Sequence, residues 1–404
     1  MKENAPFLSI CIPTRNRAAF LYRTLRSITE TSVFRNGNEI EIVVSDNAST
    51  DATEEIVKIF TEKYGDKIVY SRNETDIADK NFEKALRLGH GEFLKLNNDT
   101  FWFRDNKLEE LLSDIKQYQK DRPVLFFPND KSGKVVLCSD LSEFVEQASY
   151  SMTWIGAFGI WKDDLERITD FSANANTQLT QTDILLREVA RKKNSVVFKK
   201  KYIEYQFFWN KRKYDVSKIF GQYYLDFLKL YVDKNILSGK VFRKEKRRLL
   251  NHIFNYFYSS NMVGKDVKLF DSLKKYYAFS IFFYLRLIVF LFNHLIKDLI
   301  CWWKIKKRGA DGNFKKQWKK RNGSSFVVPV QVEYPNAVYV GNGSSGELFV
   351  ENCNPETNTL IIGENVKIGK DVRFVFNDAG KWIMVGDDTV IPDGTVVYSH
   401  TEGK

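Results

Sequence analysis

Three short polar signatures close apolar runs in the first hundred residues: Pro13-Thr14-Arg15-Asn16, Ser45-Asp46-Asn47-Ala48-Ser49-Thr50 and Asn97-Asn98-Asp99-Thr100. Asp46 offers a carboxylate that can accept an N–H from a nucleobase, or that can open a helix through an Asx-type turn. Asp99 is the single acid of its trio. It is either the tip of a turn or an anionic ligand, and Mg2+ accepts one or two carboxylates beside phosphates and waters, so one is sufficient. Farther along, Thr180-x-x-Asp183 precedes an apolar run. That spacing is a capping-box-like helix start, with Asp183 as its acid. Trp154, in the segment MTWIGAFGIW, has a face for a sugar ring or a place in a core.

These side chains need a scaffold, and the surrounding pattern supplies one. Apolar β-runs at 7–13, 39–46, 67–73 and 92–99 alternate with helical spacing at 17–29, 53–65 and 80–91. Alternation of this kind predicts an α/β fold with a mostly parallel sheet and helices on both faces. In such sheets ligands bind beyond the carboxyl ends of the strands. All three polar signatures fall at that edge.

In this order, LSICIPTRNRAAFLYRTLRSI, EIVVSDNASTDATEEIV, YSRNETDIADKNFEKAL and GEFLKLNNDT resemble the family 2 glycosyltransferases, most closely the abequosyltransferase-like branch that builds bacterial surface polysaccharides. The likeness covers roughly the first half of the chain. It implies a Rossmann-like GT-A fold, a nucleotide-sugar donor (UDP being the commonest), and inverting transfer assisted by Mg2+ or Mn2+. Carried onto this sequence, it implies nucleotide contacts from Pro13, Thr14, Asn16, Asp46, Arg72, Asp79 and Asn98. It also implies the metal ligand Asp99, the catalytic base Asp183 and an acceptor-side Trp154. Two departures stand out. Asn97 and Asn98 replace acids of the usual motif, and Ala78 stands close to where relatives carry Gly. The resemblance also implies a lipid-linked glycan as acceptor, at the cytoplasmic face of the inner membrane.

Charge divides the rest of the chain. Residues 1–210 carry 30 Lys and Arg against 32 Asp and Glu, residues 211–323 carry 27 against 8, and residues 324–404 carry 5 against 11. The middle block therefore calls for an anionic partner. The polar positions Arg286, Asn293 and Lys297 of the apolar stretch 276–303 and Lys304 just after it stack on one helical face, and 304–321 holds nine basic residues, Lys304 among them, and one acid. This pattern predicts an amphipathic helix lying in an anionic membrane surface, with burial in the protein or an oligomer, or a true span, as the alternatives. Nucleic acid is excluded as a partner, because no recognition motif accompanies the charge.

In the last block apolar residues recur every six positions: Ile362 and Ile368, then Val385, Ile391 and Val397. That step resembles the hexapeptide repeats of left-handed β-helices and predicts a short, oligomerising prism, a trimer by the same resemblance. The acidic block is expected to project away from the membrane. The domains read as 1–210, 211–323 and 324–404. His400 is the one histidine suited to an acyltransferase base, and no further coil follows it to form a pocket. Four widely spaced cysteines match no disulfide or zinc pattern, which reads as cytosolic reduced thiols. No signal-peptide pattern precedes Phe7.

Overall fold

The computed structural model describes residues 5–205, 218–259, 269–308, 326–329, 337–354 and 356–399. His400 and most of the basic run beyond Arg308 lie outside them.

Four parallel strands form the heart of the first half: β1 (Leu8–Thr14), β2 (Ile40–Asp46), β3 (Ile68–Arg72) and β4 (Phe93–Leu96). Their order is β3-β2-β1-β4, and strand Gly159–Trp161 adds antiparallel to β4. The sheet is therefore mixed, as an antiparallel edge on a parallel sheet commonly makes it. β2 is buried throughout and β1 nearly so, as central strands covered on both faces must be. Side chains alternate between two cores: Leu8, Ile10 and Ile12 face one, and Cys11 faces the other.

Helices α1 (Ala18–Thr29), α2 (Ser32–Asn36), α3 (Thr53–Tyr64) and α4 (Lys80–Arg87) follow the strands. In α1, Leu21, Leu25 and Ile28 recur at helical spacing and are fully buried. Its first turn is capped from a distance, since Asp51 Oδ2 accepts from the Ala18 N–H at 2.9 Å. Asp51 Oδ1 also accepts from Thr53 N–H at 3.1 Å, so one carboxylate serves the starts of α1 and α3.

The basic middle block continues the core of the first half. Helices Leu225–Asp233, Gly239–Ser259, Leu269–Tyr277 and Ile281–Arg308 contribute Leu228, Leu249, Ile253, Leu273 and Phe283 to the cluster that also holds Tyr224, Cys11, Leu96 and Phe158. A buried polar knot pins the two together. Glu245 accepts from Tyr224 OH at 2.9 Å and from Ser149 Oγ at 2.8 Å. Burial raises the Glu245 carboxyl above its usual range.

In the C-terminal block the six-residue step lands on three separate parallel pairings. Ile362 lies beside Val385, Ile368 beside Ile391 and Phe374 beside Val397, the same 23-residue offset each time. These side chains share one core with Leu348, Leu360 and Val366. This block sits on the outer face of α1. Arg26 donates to Asp387 through two bonds of 2.8 Å, and Tyr22 meets Tyr339 edge-on at 5.3 Å. The cause lies in one sheet, 338–340, 359–362 and 382–385. Its inward ladder is Val338, Leu360 and Ile383, while its outward ladder, Tyr339, Ile361 and Met384, is apolar as well. A sheet with two apolar faces must bury both. Ile361 is accordingly fully buried among residues of the first half. Close to the carboxyl end of β2 a β-carbon on Gly380 of this block would lie 3.4 Å from the Thr50 carbonyl oxygen.

Candidate active site

The carboxyl ends of β1, β2, β3 and β4 bring the three polar signatures together. Thr14 pairs with Asp46 in the β1–β2 register, and Asn97 N–H donates to Cys11 O at 2.8 Å, extending the β1–β4 ladder.

Both expected carboxylates are buried and tethered. Asp46 is 0% exposed. Its Oδ1 accepts from Ser49 N–H at 2.9 Å, which is the Asx-type contact, and its Oδ2 accepts from Tyr70 OH at 3.0 Å. Arg72 Nε stands 3.6 Å from the same oxygen, while Arg72 Nη2 donates to Ser49 O at 2.9 Å. Burial first, and then the Asp46 charge, raise the Tyr70 hydroxyl well above its usual range, so it remains a donor. Asp99 is 1% exposed. Thr14 Oγ1 donates to its Oδ2 at 2.9 Å and Arg17 Nη1 to its Oδ1 at 2.8 Å. Thr24 Oγ1, from α1, holds the Asp99 backbone carbonyl at 2.7 Å.

A third pair completes the rim. Arg15 bridges Asp76, whose Oδ1 also accepts from Asn47 Nδ2 at 2.6 Å. Arg15, Arg17 and Arg72 thus each lean on an acid at the carboxyl edge of the sheet. The sequence reading did not single out Arg15, Arg17 or Asp76. Its one available signal was the pair of arginines in PTRNR directly after β1.

Asn16 organises the loop between β2 and α3. Its N–H donates to Ser49 Oγ at 3.0 Å and its Oδ1 accepts from Thr50 N–H at 2.7 Å. Asn16, Ala48 and Ala78 all adopt left-handed backbone, with φ of +50°, +55° and +50°. The chain therefore keeps at Ala78 the conformation that Gly adopts without penalty; a β-carbon there costs roughly 1–2 kcal/mol. Pro13 is half-buried within β1. Asp79 caps the start of α4 by backbone alone, its carbonyl accepting from Phe82 N–H at 3.1 Å. Asn98 Oδ1 accepts from Thr100 N–H and Oγ1 at 3.2 and 2.9 Å.

The donor set fits a divalent cation in kind but not as arranged. It holds one carboxylate and two amides, yet Asp99 already serves Arg17 and Thr14, and Asn98 closes its own turn. Among the described residues no group of three or more His, Cys, Asp or Glu is placed to hold a metal. A cation at Asp99 would have to displace Arg17.

Asp183 stands on the first turn of helix Thr180–Lys192. The capping-box alternative is not what the structure shows. Leu179 occupies the N-cap and makes no side-chain cap, and Thr180 Oγ1 is buried without a partner. The Asp183 carboxylate instead accepts from Asn174 Nδ2 at 2.9 Å and lies 3.3 Å from Arg187 Nη2. Tyr231, from helix 225–233, borders it. Burial and then the Asp183 charge push the Tyr231 hydroxyl up to about 12.

A chain of contacts joins Asp183 to the β4 edge. Gln181 Nε2 donates to Thr153 O at 2.8 Å and Thr182 Oγ1 to Met152 O at 3.0 Å. Lys95 Nζ, fully buried in β4, donates to Leu96 O at 2.9 Å and to Gly156 O. Burial lowers the Lys95 ammonium to about 7. Trp154, between these anchors, is half-buried, with Phe101 at 4.9 Å and Tyr205 at 6.1 Å between ring centroids. It is partly core and partly accessible to a ligand.

Residues 9–136 match the Glycosyl transferase family 2 model, a span that takes in the four parallel strands. The chain is 40% identical over 87 residues to Abequosyltransferase RfbV of Salmonella typhimurium, covering 21% of this chain and 26% of that protein. It is 37% identical over 71 residues to Validoxylamine A glucosyltransferase of Streptomyces hygroscopicus subsp. jinggangensis, covering 18% of this chain and 16% of that protein. The chain thus spans about a quarter or less of the length of these relatives. Among solved structures, S. aureus TarS aligns with a TM-score of 0.43 at 17% identity, over 66% of this chain and 46% of that one. The mannosyltransferase PcManGT from Pyrobaculum calidifontis, in complex with GDP-Man and Mn2+, aligns with a TM-score of 0.45 at 14% identity, over 74% and 88%. Likeness at that level fixes no detail of the site.

Proposed function

We propose that this chain is a GT-A-type glycosyltransferase that moves a sugar from a nucleotide-sugar, with UDP-sugars as first candidates, to a hydroxyl of a lipid-linked glycan. The observation that carries this reading is the convergence of three arginine–acid pairs on one strand edge, joined through the 152–156 segment to Asp183. A diphosphate needs cationic donors. Arginine presents them in a planar fork suited to phosphate oxygens. Asp46, Asp76 and Asp99 act here as the orienters of those guanidinium groups. Pro13, Thr14, Asn16 and Asp79 frame the nucleotide, and Arg72, the most exposed of the three arginines, meets it first.

In the transfer itself Asp183 accepts the proton of the acceptor hydroxyl while Asn174 and Arg187 hold its carboxylate in place. A single displacement with one base inverts the sugar's configuration. Trp154 offers its accessible edge to the acceptor sugar. Asp99 would hold a Mg2+ or Mn2+ ion only once Arg17 is displaced, and the ion would then supply Lewis-acid stabilisation of charge on the diphosphate.

The test is titration of the purified protein with UDP, CDP, GDP and dTDP, with Mn2+ and with EDTA, followed by a donor screen against lipid-linked acceptors. Binding to none of the four nucleotides overturns the assignment. A second reading, a non-catalytic sugar-nucleotide scaffold, is favoured by one observation, the engagement of both Asp99 oxygens. Nucleotide binding without transfer to any acceptor would select it.

The C-terminal block fits a short β-helix of the hexapeptide type. Three parallel pairings at a shared 23-residue offset support that reading. Trimerisation would have to use its other two faces, because the sheet carrying Tyr339, Ile361 and Met384 already covers α1.

A further inference from the structure

Among its described side chains, between Ile281 and Ile296, helix Ile281–Arg308 touches the rest of the protein along one side. Phe283 and Phe290 reach Phe254 of helix 239–259, with ring centroids 6.2 and 5.1 Å apart, and Leu287 packs between them. At 100° per residue, Ile281, Leu285, Ile288, Val289, Phe292 and Leu295 fall within an opposite arc of about 120°. Each is 50–78% exposed, and no position of that arc between 281 and 296 is polar. Phe279, just before the helix, is fully exposed. Arg286 and Asn293 are also exposed and stand at the flank, between the buried side and the apolar side.

A continuous apolar surface of this kind marks a contact that the isolated chain leaves unmade. Charge identifies the occupant. The block holding this helix carries 27 Lys and Arg against 8 Asp and Glu. A second copy would bring two such blocks face to face in an isologous contact, where they repel. An anionic bilayer attracts the same charge and accepts the same apolar arc. Among the described residues no helix is long and apolar enough to cross a membrane, and this one is committed to the protein along one side. It must therefore lie along the surface.

We propose that the outward apolar face of helix 281–308 seats in the headgroup–acyl boundary of an anionic bilayer, with the helix axis parallel to the membrane plane. Arg286 and Asn293 then lie at the level of the headgroups, where a long cationic side chain keeps its charge in water. The same helical block supplies Tyr231 beside Asp183. The docked face thus belongs to the block bordering the candidate acceptor side. Only this orientation rests on the transferase reading; the docking does not.

The experiment is co-sedimentation of the full chain with phosphatidylcholine–phosphatidylglycerol vesicles and with phosphatidylcholine vesicles, at low and high salt. The expected result is binding to the anionic vesicles that weakens with salt and with loss of phosphatidylglycerol. Leu285→Glu with Phe292→Glu should lower vesicle binding at least tenfold, since both side chains lose their apolar burial and gain a charge that the anionic surface repels. The thermal melting profile reports whether that variant folds. If it does not, the milder Ile288→Gln, compared with wild type on the same vesicles, carries the test. No binding of wild type to anionic vesicles overturns the proposal, as does equal binding of a folded variant. So does a wild-type dimer that the substitutions dissociate while vesicles capture neither form, because a second copy then covers this face. Nucleotide binding, measured separately, fails or succeeds without altering any of these outcomes.

Discussion

Replacing Arg17 by Ala should move two affinities in opposite directions. Arg17 Nη1 donates to Asp99 Oδ1 at 2.8 Å, and the two side chains are 24% and 1% exposed. A hydrogen bond between ions of this kind contributes about 1.5–3 kcal/mol, and partial exposure of the guanidinium places it at the lower end. A cation that binds Asp99 must first break that bond. Its removal should therefore tighten Mn2+ binding about tenfold, 1.4 kcal/mol being a factor of ten. In EDTA the same variant should bind UDP more weakly, because a donor to the diphosphate is gone. The assay is loss of the free Mn2+ paramagnetic signal on titration with protein, paired with calorimetric UDP titration in EDTA. Asp99→Ala is the control and should lose the Mn2+ response. Equal or weaker Mn2+ affinity in Arg17→Ala would refute the competition, and unchanged UDP affinity in EDTA would remove Arg17 from the donor site.

Asp183→Asn should leave nucleotide affinity and folding intact and lower transfer about 10²–10⁴-fold; a normal rate would reduce Asp183 to a partner of Asn174 and Arg187. Lys95 releases its proton near 7 in the folded chain and near 10.4 when unfolded, so the unfolded chain holds more protons between those values. Stability should therefore rise with pH across that window, by up to about 1.4 kcal/mol per unit from this group, and denaturant titrations of Lys95→Met should lack this increment. Arg26→Ala should loosen the C-terminal block by about 1 kcal/mol, read as faster proteolysis after residue 324, because Asp387 is largely solvent-exposed. Arg26 holds the Asp387 carboxyl below its usual range. This contact is thus complete above the usual carboxylate pKa and is lost as pH falls through the depressed one; protection that persists in stronger acid would exclude it as the clamp.

The strand–helix alternation was legible because central parallel strands and amphipathic helices leave different periods in the chain. Both kinds of element, and the edge where their polar ends meet, follow from local pattern. The ion pairs at that edge do not. Arg17 and Asp99 are 82 positions apart, and nothing in either neighbourhood marks the other. Lys95 hides within an apolar strand, where its charge reads as an outward-facing residue until Gly156 O is seen beside it. Thr180-x-x-Asp183 has the letters of a capping box, yet the helix begins at Thr180 itself, one residue too early for that hydroxyl to cap. The docking of the acidic block was missed for a related reason. Its charge sum is negative, but the sheet facing α1 is apolar on both sides, and a sum over a segment carries no directional information.

That outward ladder of Tyr339, Ile361 and Met384 bears on how the chain is made. The ribosome delivers residues in order, at roughly 5–20 per second, and domains tend to fold as they emerge. The first half can close its sheet as soon as the strand at Gly159–Trp161 is available, yet the outer side of α1, with Tyr22 and Arg26, waits until residues beyond 380 are synthesised. For that interval, on the order of ten seconds or more at those speeds, the nascent protein shows an uncovered aromatic patch. A holdase chaperone would find its binding site there, and synthesis halted before 337 would leave that site permanently open.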